Sequence, residues 1–191
     1  MTGPPEALDH QANLLGAFAL AVSDRAAASV AAATDGVAGH PSAAAALSAL
    51  LHFLDRPTID QLRRVLGLTP SGAVRLVDRL TEAGLVTRGP GADGRSRSVT
   101  LSETGRAVAE GLSTARAATL RGTLSTLSVA ERATLDDLVG KMMAGIVAEK
   151  EGGAWLCRLC DLAACGRDTG TCPTANAAAA RYGSATRRPP H

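Results

Sequence analysis

The stretch that decides the fold reads TIDQLRRVLGLTPSGAVRLVDRL at residues 58–80 and continues TEAGLVTRGPGADGRSRSVTLSETG at residues 81–105. In its first part, Thr58 is followed three residues later by Gln61, which is the spacing of a capping box at the start of a helix. Gly67 is the residue type that commonly ends a helix in a left-handed conformation. These signals predict a short helix between Thr58 and Gly67.

A second helix is predicted directly after this one. Thr69 precedes Pro70, which is the pattern of an N-cap residue followed by proline at the first helical position. The helical pattern continues to Ala83, and Gly84 ends it. The predicted buried face holds Ala73, Val74, Val77 and Leu80, and the polar face holds Ser71, Arg75, Asp78, Arg79 and Glu82.

Two short extended runs follow, at residues 85–88 and 97–101. They are separated by GPGADGRS at residues 89–96, whose Gly, Pro and Asp content is typical of a turn. The runs therefore predict a β hairpin with a basic tip. Helix, tight turn, helix and hairpin in this order predict a winged helix-turn-helix.

The sequence on both sides of this unit has a helical pattern. The chain has 191 residues, of which 46% are hydrophobic and 2% aromatic, so Ala, Leu and Val must build the core. That composition favours closely packed helices over an aromatic-rich β sandwich. A long helix is predicted over residues 6–33, Ser42 is predicted to cap the next helix, and Ser102 is predicted to cap a helix that reaches about residue 124.

The last predicted long helix begins with a capping box formed by Ser128 and Glu131. Together with the first helix and the helix after Ser102, it offers more apolar surface than a domain of this size would cover by itself. We therefore predict that these helices build a homodimer interface, with packing inside one chain as the alternative. The apolar stripe of the last helix holds Leu135, Leu138, Val139, Met142 and Ile146.

Positive charge is concentrated in the middle of the chain. Residues 56–106 hold nine Arg and five acidic residues, a local charge of +4, while the rest holds eleven basic and thirteen acidic residues, or −2. The guanidinium of Arg suits phosphate groups and guanine edges. We therefore expect double-stranded DNA as the partner, with the second helix of the helix-turn-helix in the major groove.

The sequence LTPSGAVRLVDRLTEAGLVTR at residues 68–88, followed by DGRSRSVTLSETG at residues 93–105, resembles the MarR family of bacterial transcriptional regulators. The resemblance covers about residues 44–110. It implies a homodimeric DNA-binding regulator, which we expect to be a repressor, with its recognition helix at residues 69–83. It also implies a wing in which Asp93 steers Arg95 into the minor groove, where the narrow groove concentrates negative potential.

The predicted DNA-contacting residues lie on the recognition helix and the wing. Arg75 and Arg79 have an alternative role on a salt-bridged surface helix, with Asp78 and Glu82 as partners at helical spacing. The full predicted set is Thr69, Ser71, Gly72, Arg75, Arg79, Asp93, Arg95 and Arg97.

The predicted fold class is mostly α with a small β wing: a winged helix-turn-helix flanked by N- and C-terminal dimerisation helices. The predicted units are an N-terminal dimerisation helix over residues 1–36, the DNA-binding lobe over 42–102, C-terminal dimerisation helices over 103–150, a four-cysteine metal-binding segment over 155–175 and a flexible tail over 176–191.

All four cysteines lie in one block, WLCRLCDLAACGRDTGTCPTAN, at residues 155–176. Their spacing is Cys157-x2-Cys160-x4-Cys165-x6-Cys172, with proline directly after the last. Clustering of this kind indicates metal ligation, because disulfides are rare in the reducing cytoplasm that we expect for this chain.

Four thiolates can close a tetrahedral zinc site or hold an iron–sulfur cluster. The single C-x2-C, the wide gaps and the Cys-Pro ending favour the cluster, while zinc and thiol chemistry without a metal stay open. The block also resembles the cluster-binding tail of SoxR-type redox regulators, although its inner spacing is wider. Gly166 and Gly170 are predicted to turn the loop, and Trp155 to shield the site.

The sequence thus predicts a cytoplasmic, homodimeric transcriptional regulator that is not an enzyme and responds to redox state or metal through its cysteines. The alternatives are a small iron–sulfur or thiol redox protein and a winged-helix adaptor that binds protein. There is no Gly-rich nucleotide loop and no Ser-His-Asp set.

Two further expectations concern membranes and ligands. The uninterrupted apolar runs at residues 14–22 and 43–54 are shorter than the roughly 18 to 20 residues that a membrane span needs, so none is expected. The N-terminus shows no secretory signal. Aromatic residues are few, and although Phe18, His52 and Phe53 could contribute to a pocket, a small-molecule effector is unsupported.

Overall fold

The computed structural model describes residues 5–34, 36, 40–91, 96–149 and 156–182. It is mainly helical with one small two-stranded antiparallel sheet, which confirms the predicted fold class. The elements are α1 (Pro5–Ala33), α2 (Pro41–His52), α3 (Ile59–Leu66), α4 (Pro70–Glu82), β1 (Val86–Pro90), β2 (Arg97–Leu101), α5 (Glu103–Leu124), α6 (Val129–Glu149), α7 (Leu162–Cys165) and α8 (Pro173–Tyr182).

Local capping signals place the ends of the helix-turn-helix. Thr58 and Gln61 form the predicted capping box in both directions, and Gly67 ends α3 in the left-handed region at φ 66°. The hydroxyl oxygen of Thr69 accepts a hydrogen bond from the backbone N–H of Gly72 at 3.1 Å. Each of these residues therefore performs the backbone role that its type and spacing predicted.

The start of α2 differs from the prediction that Ser42 caps it. His40 is the N-cap residue, and its Nδ1 accepts a hydrogen bond from the backbone N–H of Ser42 at 3.2 Å. Pro41 occupies the first helical position, where its missing N–H costs nothing. A histidine ring nitrogen thus replaces the hydroxyl that the sequence pattern indicated.

The core is centred on α2, whose residues 43–49 are all buried. This helix packs against α3, α4, α5 and β2. In α4 the buried residues are Ala73, Leu76, Val77 and Leu80, so the predicted buried face is wrong at one position. Val74 is 44% exposed and Leu76 takes its place, because the face of α4 that meets the core is rotated relative to the sequence-based assignment.

The wing is an antiparallel hairpin in which Val86 pairs with Leu101 and Pro90 with Arg97. The backbone N–H of Val99 also donates to the carbonyl of Pro57, and a bridge between Thr58 and Ser98 ties β2 to the start of α3. The tip of the hairpin, which carries Asp93 and Arg95, lies outside the described residues.

Helix α4, the wing and α5 meet at a closely packed turn. Ser102 caps α5 by accepting from the N–H of Gly105, as predicted, and its hydroxyl donates to the carbonyl of Gly84 at 2.6 Å. Gly105 packs so closely on this turn that a Cβ there would lie 1.8 Å from the carbonyl oxygen of Leu85. Only glycine fits this position without moving the backbone.

We expect Gly105→Ala to lower the free energy of unfolding by at least about 2 kcal/mol, because the added methyl group must displace the backbone at Leu85. Denaturant unfolding followed by circular dichroism measures this change. The matched control is Gly122→Ala on the same helix, where an added Cβ meets no atom within 4 Å. Equal stability of the two variants would contradict the close contact.

Helices α1, α5, α6 and α8 form the rest of the structure. The second half of α1 packs on α5 through Ala26 and Val30, and the Ser29 hydroxyl donates to the carbonyl of Ala115. Helix α6 packs against α8, whose Tyr182 hydroxyl donates to the carbonyl of Val147. The Ser128–Glu131 capping box at the start of α6 is confirmed.

Large apolar side chains are exposed on α1 and α6. On these helices they are Leu8, Leu14, Leu15, Phe18, Leu20, Val129, Leu138, Met142 and Ile146, each 43–75% exposed. Surfaces of this kind mark sites of association.

Helix α1 also departs from the expectation that no segment could span a membrane. By length and composition Ala7–Ala33 is apolar enough to do so, with a mean hydropathy of 1.4. The expectation counted only uninterrupted apolar runs, whereas scattered polar residues such as Ser23 and Asp24 lower the average only slightly. The same properties suit a helix that packs on another protein surface, as the second half of α1 does on α5.

Candidate nucleic-acid interface and cysteine segment

The outward face of α4 carries several of the residues predicted to read DNA. Ser71, Arg75 and Arg79 are exposed, and so is Thr69 at the start of the helix. The Thr69 hydroxyl oxygen caps α4 and so fixes its first turn, and the contact of Thr69 with DNA stays a prediction. The face therefore presents one hydroxyl and two guanidinium groups to solvent, and polar side chains of these types can reach base edges and phosphates.

The salt-bridge alternative for Arg75 and Arg79 does not hold within the described residues, where neither side chain makes an ion pair or hydrogen bond. Asp78, the nearest acid on the helix, instead pairs with Arg88 of β1, with Nη2 and Oδ1 2.5 Å apart. This ion pair ties the wing to the recognition helix. It also leaves Arg75 without the carboxylate three residues further on, and Glu82, at the same spacing from Arg79, makes no ion pair among the described residues.

Two further arginines lie at the end of the wing's strands that is next to the hairpin tip. Arg97 is exposed at the start of β2. Arg56 donates from Nη2 to the carbonyl of Pro90 at 3.1 Å, and its backbone lies in the left-handed region at φ 46°. Sequence reasoning did not select Arg56, because only the folded hairpin brings it to the wing. Asp93 and Arg95 stay predictions, since they lie outside the described residues.

Arg63 and Arg64 of α3 both bind one carboxylate. Arg63 Nε lies 2.8 Å from Asp60 Oδ1, and Arg64 Nη2 lies 2.8 Å from Asp60 Oδ2. These hydrogen bonds hold the pKa of Asp60 below its usual value. The two arginines are therefore partly neutralised locally, in contrast to the two on α4.

The four cysteines lie in one loop, helix α7 and the start of α8. Cys157 and Cys172 are buried, while Cys160 and Cys165 are partly exposed. Gly166 and Gly170 have φ of 68° and 74°, so they turn the loop as predicted. Trp155 lies outside the described residues.

Cys157 and Cys160 share a side-chain hydrogen bond, Cys165 and Cys172 share another, and Cys165 also acts electrostatically on Cys160. The hydrogen bond from Cys160, with help from a nearby guanidinium, lowers the pKa of the Cys157 thiol to about 6. The same hydrogen bond and burial raise the pKa of Cys160, and burial raises that of Cys165. Within the described residues no three His, Cys, Asp or Glu side chains stand in an arrangement that could hold a metal ion.

Two arginines face these thiols. Arg167 donates from Nη2 to the Cys157 sulfur at 3.7 Å, and its buried Nε has no partner among the described residues. Arg116 of α5 acts electrostatically on Cys160. A guanidinium whose buried Nε has no partner among the described residues fits a neighbour of negative charge, and four sulfur donors supply one once they are thiolates. Sequence reasoning missed both arginines, although the position of Arg167 inside the cysteine block was a usable signal.

A cavity of about 390 Å³ lies between α1, α2, α5 and the cysteine segment. It is lined mostly by small apolar side chains, together with Arg116, Arg158 and Leu159. None of Phe18, His52 and Phe53, the three residues considered for a pocket, lines it. The cavity therefore differs from an aromatic ligand pocket.

The fold and the exposed basic helix define a winged-helix protein of the DNA-binding class. The sequence pattern of the MarR family matches residues 40–96. A probable transcriptional regulator from Pseudomonas aeruginosa is 31% identical over 67% of this chain and 96% of its own, with a TM-score of 0.50. The chain belongs to the MarR family, whose members are transcription regulators.

Two more distant structures share the fold. A MarR family protein from Bacillus stearothermophilus is 20% identical, with a TM-score of 0.60 over 76% of this chain and 99% of its own. A MepR mutant from Staphylococcus aureus, bound to an oligodeoxyribonucleotide, is 17% identical, with a TM-score of 0.52 over 71% and 97%. No curated protein sequence matches the chain. The cysteine segment lies outside the residues that match the family pattern.

Proposed function

We propose that the protein is a homodimeric, sequence-specific DNA-binding repressor whose four-cysteine segment holds a redox- or metal-responsive centre. The observation that carries the DNA-binding part is the outward face of α4, where Arg75 and Arg79 are exposed and have no ion-pair partner among the described residues. The solved complex of a MepR mutant with an oligodeoxyribonucleotide supports the same partner for this fold.

Replacing both Arg75 and Arg79 with Ala should weaken operator binding by roughly 1 to 3 kcal/mol for each side chain that reads a base edge. If the side chains bind only phosphates, the weakening is similar on all sequences and the salt dependence of binding becomes shallower. Fluorescence anisotropy with operator and scrambled duplexes at several salt concentrations separates these cases.

The control for this measurement is Arg121→Ala on α5, which also removes one exposed positive charge but lies outside the winged helix. It should leave the affinity unchanged. Unaltered binding by the Arg75/Arg79 double variant would contradict the DNA-reading role of α4. Failure of the unmodified protein to prefer any promoter fragment would favour the adaptor alternative.

The dimer is supported by the exposed apolar side chains of α1 and α6. Two recognition helices must reach half-sites about 34 to 36 Å apart on DNA, and a two-fold dimer is the usual means of holding them there. Burial of these side chains against a second copy would remove apolar surface from water, at roughly 25 cal/mol per Å².

Met142→Glu should shift the protein to monomer, because a carboxylate would have to be buried without a partner in the interface. Sedimentation velocity over a range of concentrations measures the shift, and at least a tenfold weaker dimer is expected. Lys141→Glu is the matched control on the neighbouring exposed position of the same helix. A dimer equally stable in both variants would place the interface elsewhere.

For the centre itself we favour an iron–sulfur cluster over zinc. Cys157, Cys160, Cys165 and Cys172 would hold it, and Arg167 and Arg116 would offset its negative charge. A cluster would supply reversible one-electron chemistry, and zinc would supply only structural cross-linking. The two thiol pairs would have to close around the metal, since the described side chains do not form a ready set.

Anaerobically purified protein should contain iron and sulfide and show broad visible absorption that bleaches on oxidation. Colourless protein with one zinc per chain would select zinc, and protein without either metal would remove the centre. Cys165→Ser should lower metal content and change operator affinity if the centre regulates. A change in thermal stability alone would instead assign it a structural role.

A further inference from the structure

The first two cysteines of the cysteine segment lie at the ends of one tight turn. The backbone N–H of Cys160 donates to the carbonyl of Cys157 at 2.9 Å, and residues 156–159 are turn residues. A turn closed by this hydrogen bond brings the Cα atoms of its first and fourth residues within about 7 Å. Cysteines that share a disulfide usually have Cα atoms about 4.4 to 6.8 Å apart. The backbone therefore holds Cys157 and Cys160 close to the separation that a disulfide needs.

The side chains of these two cysteines also meet, because the thiol of Cys160 donates a hydrogen bond to the sulfur of Cys157. A second donor reaches the same sulfur, since Nη2 of Arg167 lies 3.7 Å from it. Positive charge and hydrogen-bond donors of this kind stabilise a thiolate, which is the form of cysteine that attacks an oxidant. Cys157 is therefore placed as the nucleophile, and Cys160 is the second thiol beside it.

The pair lies near solvent and near a cavity. Cys160 is partly exposed, whereas Cys157 is only 8% exposed. Arg158 and Leu159, the two residues between the cysteines, line the cavity of about 390 Å³ between α1, α2, α5 and the segment. Redox-sensitive cysteines typically are accessible and lie next to a second thiol. A small oxidant therefore has a route to this pair, which larger reagents lack at Cys157.

We propose that Cys157 and Cys160 form a reversible disulfide when the chain meets a hydroperoxide. The pair is then a modification site of the cysteine segment, which lies outside the residues that match the family pattern. The inference goes beyond the proposed function, since it uses the thiols as the structure places them and requires no metal. A redox signal reaches the chain through this pair whether or not the four cysteines ever hold a metal.

The reaction has two steps. The Cys157 thiolate attacks one oxygen of the hydroperoxide, the O–O bond breaks, and the leaving oxygen takes up the proton that Cys157 lost on ionisation, which gives water or an alcohol. Cys157 is then a sulfenic acid. The sulfur of Cys160 attacks this sulfenic sulfur, the S–O bond breaks, and the hydroxyl leaves as water with the Cys160 proton. Each sulfur is oxidised by one electron, and the hydroperoxide is reduced by two.

The test treats full-length protein, dialysed against a chelator, with an equimolar amount of hydrogen peroxide. The chain should fall from four free thiols to two, and dithiothreitol should restore all four. Trypsin cuts after arginine, so cleavage at Arg158 separates Cys157 from Cys160. Mass spectrometry without reduction should then find residues 151–158 linked to residues 159–167. Any outcome without this link would overturn the proposal, including residues 159–167 linked only to residues 168–181.

Two matched variants assign the partner of Cys157, because Cys160 and Cys165 lie in the same tryptic peptide. Cys165→Ser should still form the link between residues 151–158 and 159–167, and Cys160→Ser should lose it. The opposite pattern would place the disulfide between Cys157 and Cys165 and overturn the pairing. Fragmentation of the linked peptides from the unmodified protein gives the same assignment without any substitution.

The rate of disulfide formation tests the role of Arg167. Arg167→Gln should slow the reaction several-fold, because it removes the positive charge beside the Cys157 sulfur. Arg181→Gln is the matched control, since it removes an exposed arginine of α8 and should leave the rate unchanged. Equal rates in the two variants would overturn the assignment of Cys157 as the attacking thiolate.

The proposed metal centre and this inference fail separately. Protein that takes up neither iron nor zinc but forms the disulfide refutes the metal centre and supports the dithiol. Protein that takes up metal, yet forms no disulfide once the metal has been removed, refutes the dithiol and leaves the metal centre in place.

Discussion

The burial of α2 is the constraint on which the rest of the structure depends. Seven consecutive residues, 43–49, are buried, which requires neighbours on all sides of the helix. Five of them are alanines, whose small side chains let α3, α4 and α5 approach closely. The recognition helix is oriented by this packing, and the cysteine segment meets the other end of the same helix at His52. Both candidate sites are therefore built on α2.

The basic surface of α4 depends in part on the ion pair between Asp78 and Arg88. Helical spacing offers Asp78 to Arg75 of α4, but the carboxylate pairs with Arg88 of the wing. A partly exposed ion pair of this kind adds at most about 1 kcal/mol to stability, so its main consequence is geometric. It holds the wing beside the recognition helix and leaves Arg75 without this partner, and both Arg75 and Arg79 are exposed. The local excess of positive charge in the sequence thereby becomes an exposed basic surface.

Nearby residues set the local shape of the cysteine segment, whereas a cation distant in sequence contributes to its electrostatics. Its own glycines turn the loop and Asp161 caps α7, so its local shape follows from nearby residues. Arg116, by contrast, comes from the middle of α5. The electrostatics of the segment therefore depend in part on α5, the helix that directly follows the wing.

The sequence by itself determined the helix-turn-helix, the wing strands, most helix ends and the clustering of the thiols, because capping boxes, proline at a first helical turn and glycine turns act over three or four residues. It also carried the family pattern. The buried face of α4 was predicted less accurately: Val74 is exposed and Leu76, which was assigned to neither face, is buried, because burial depends on how α4 meets α2. Only the tertiary structure decided that Asp78 pairs with Arg88, that Gly105 lies against Leu85, and that His52 lies beside Asp161. These contacts join residues distant in sequence, so no local pattern encodes them.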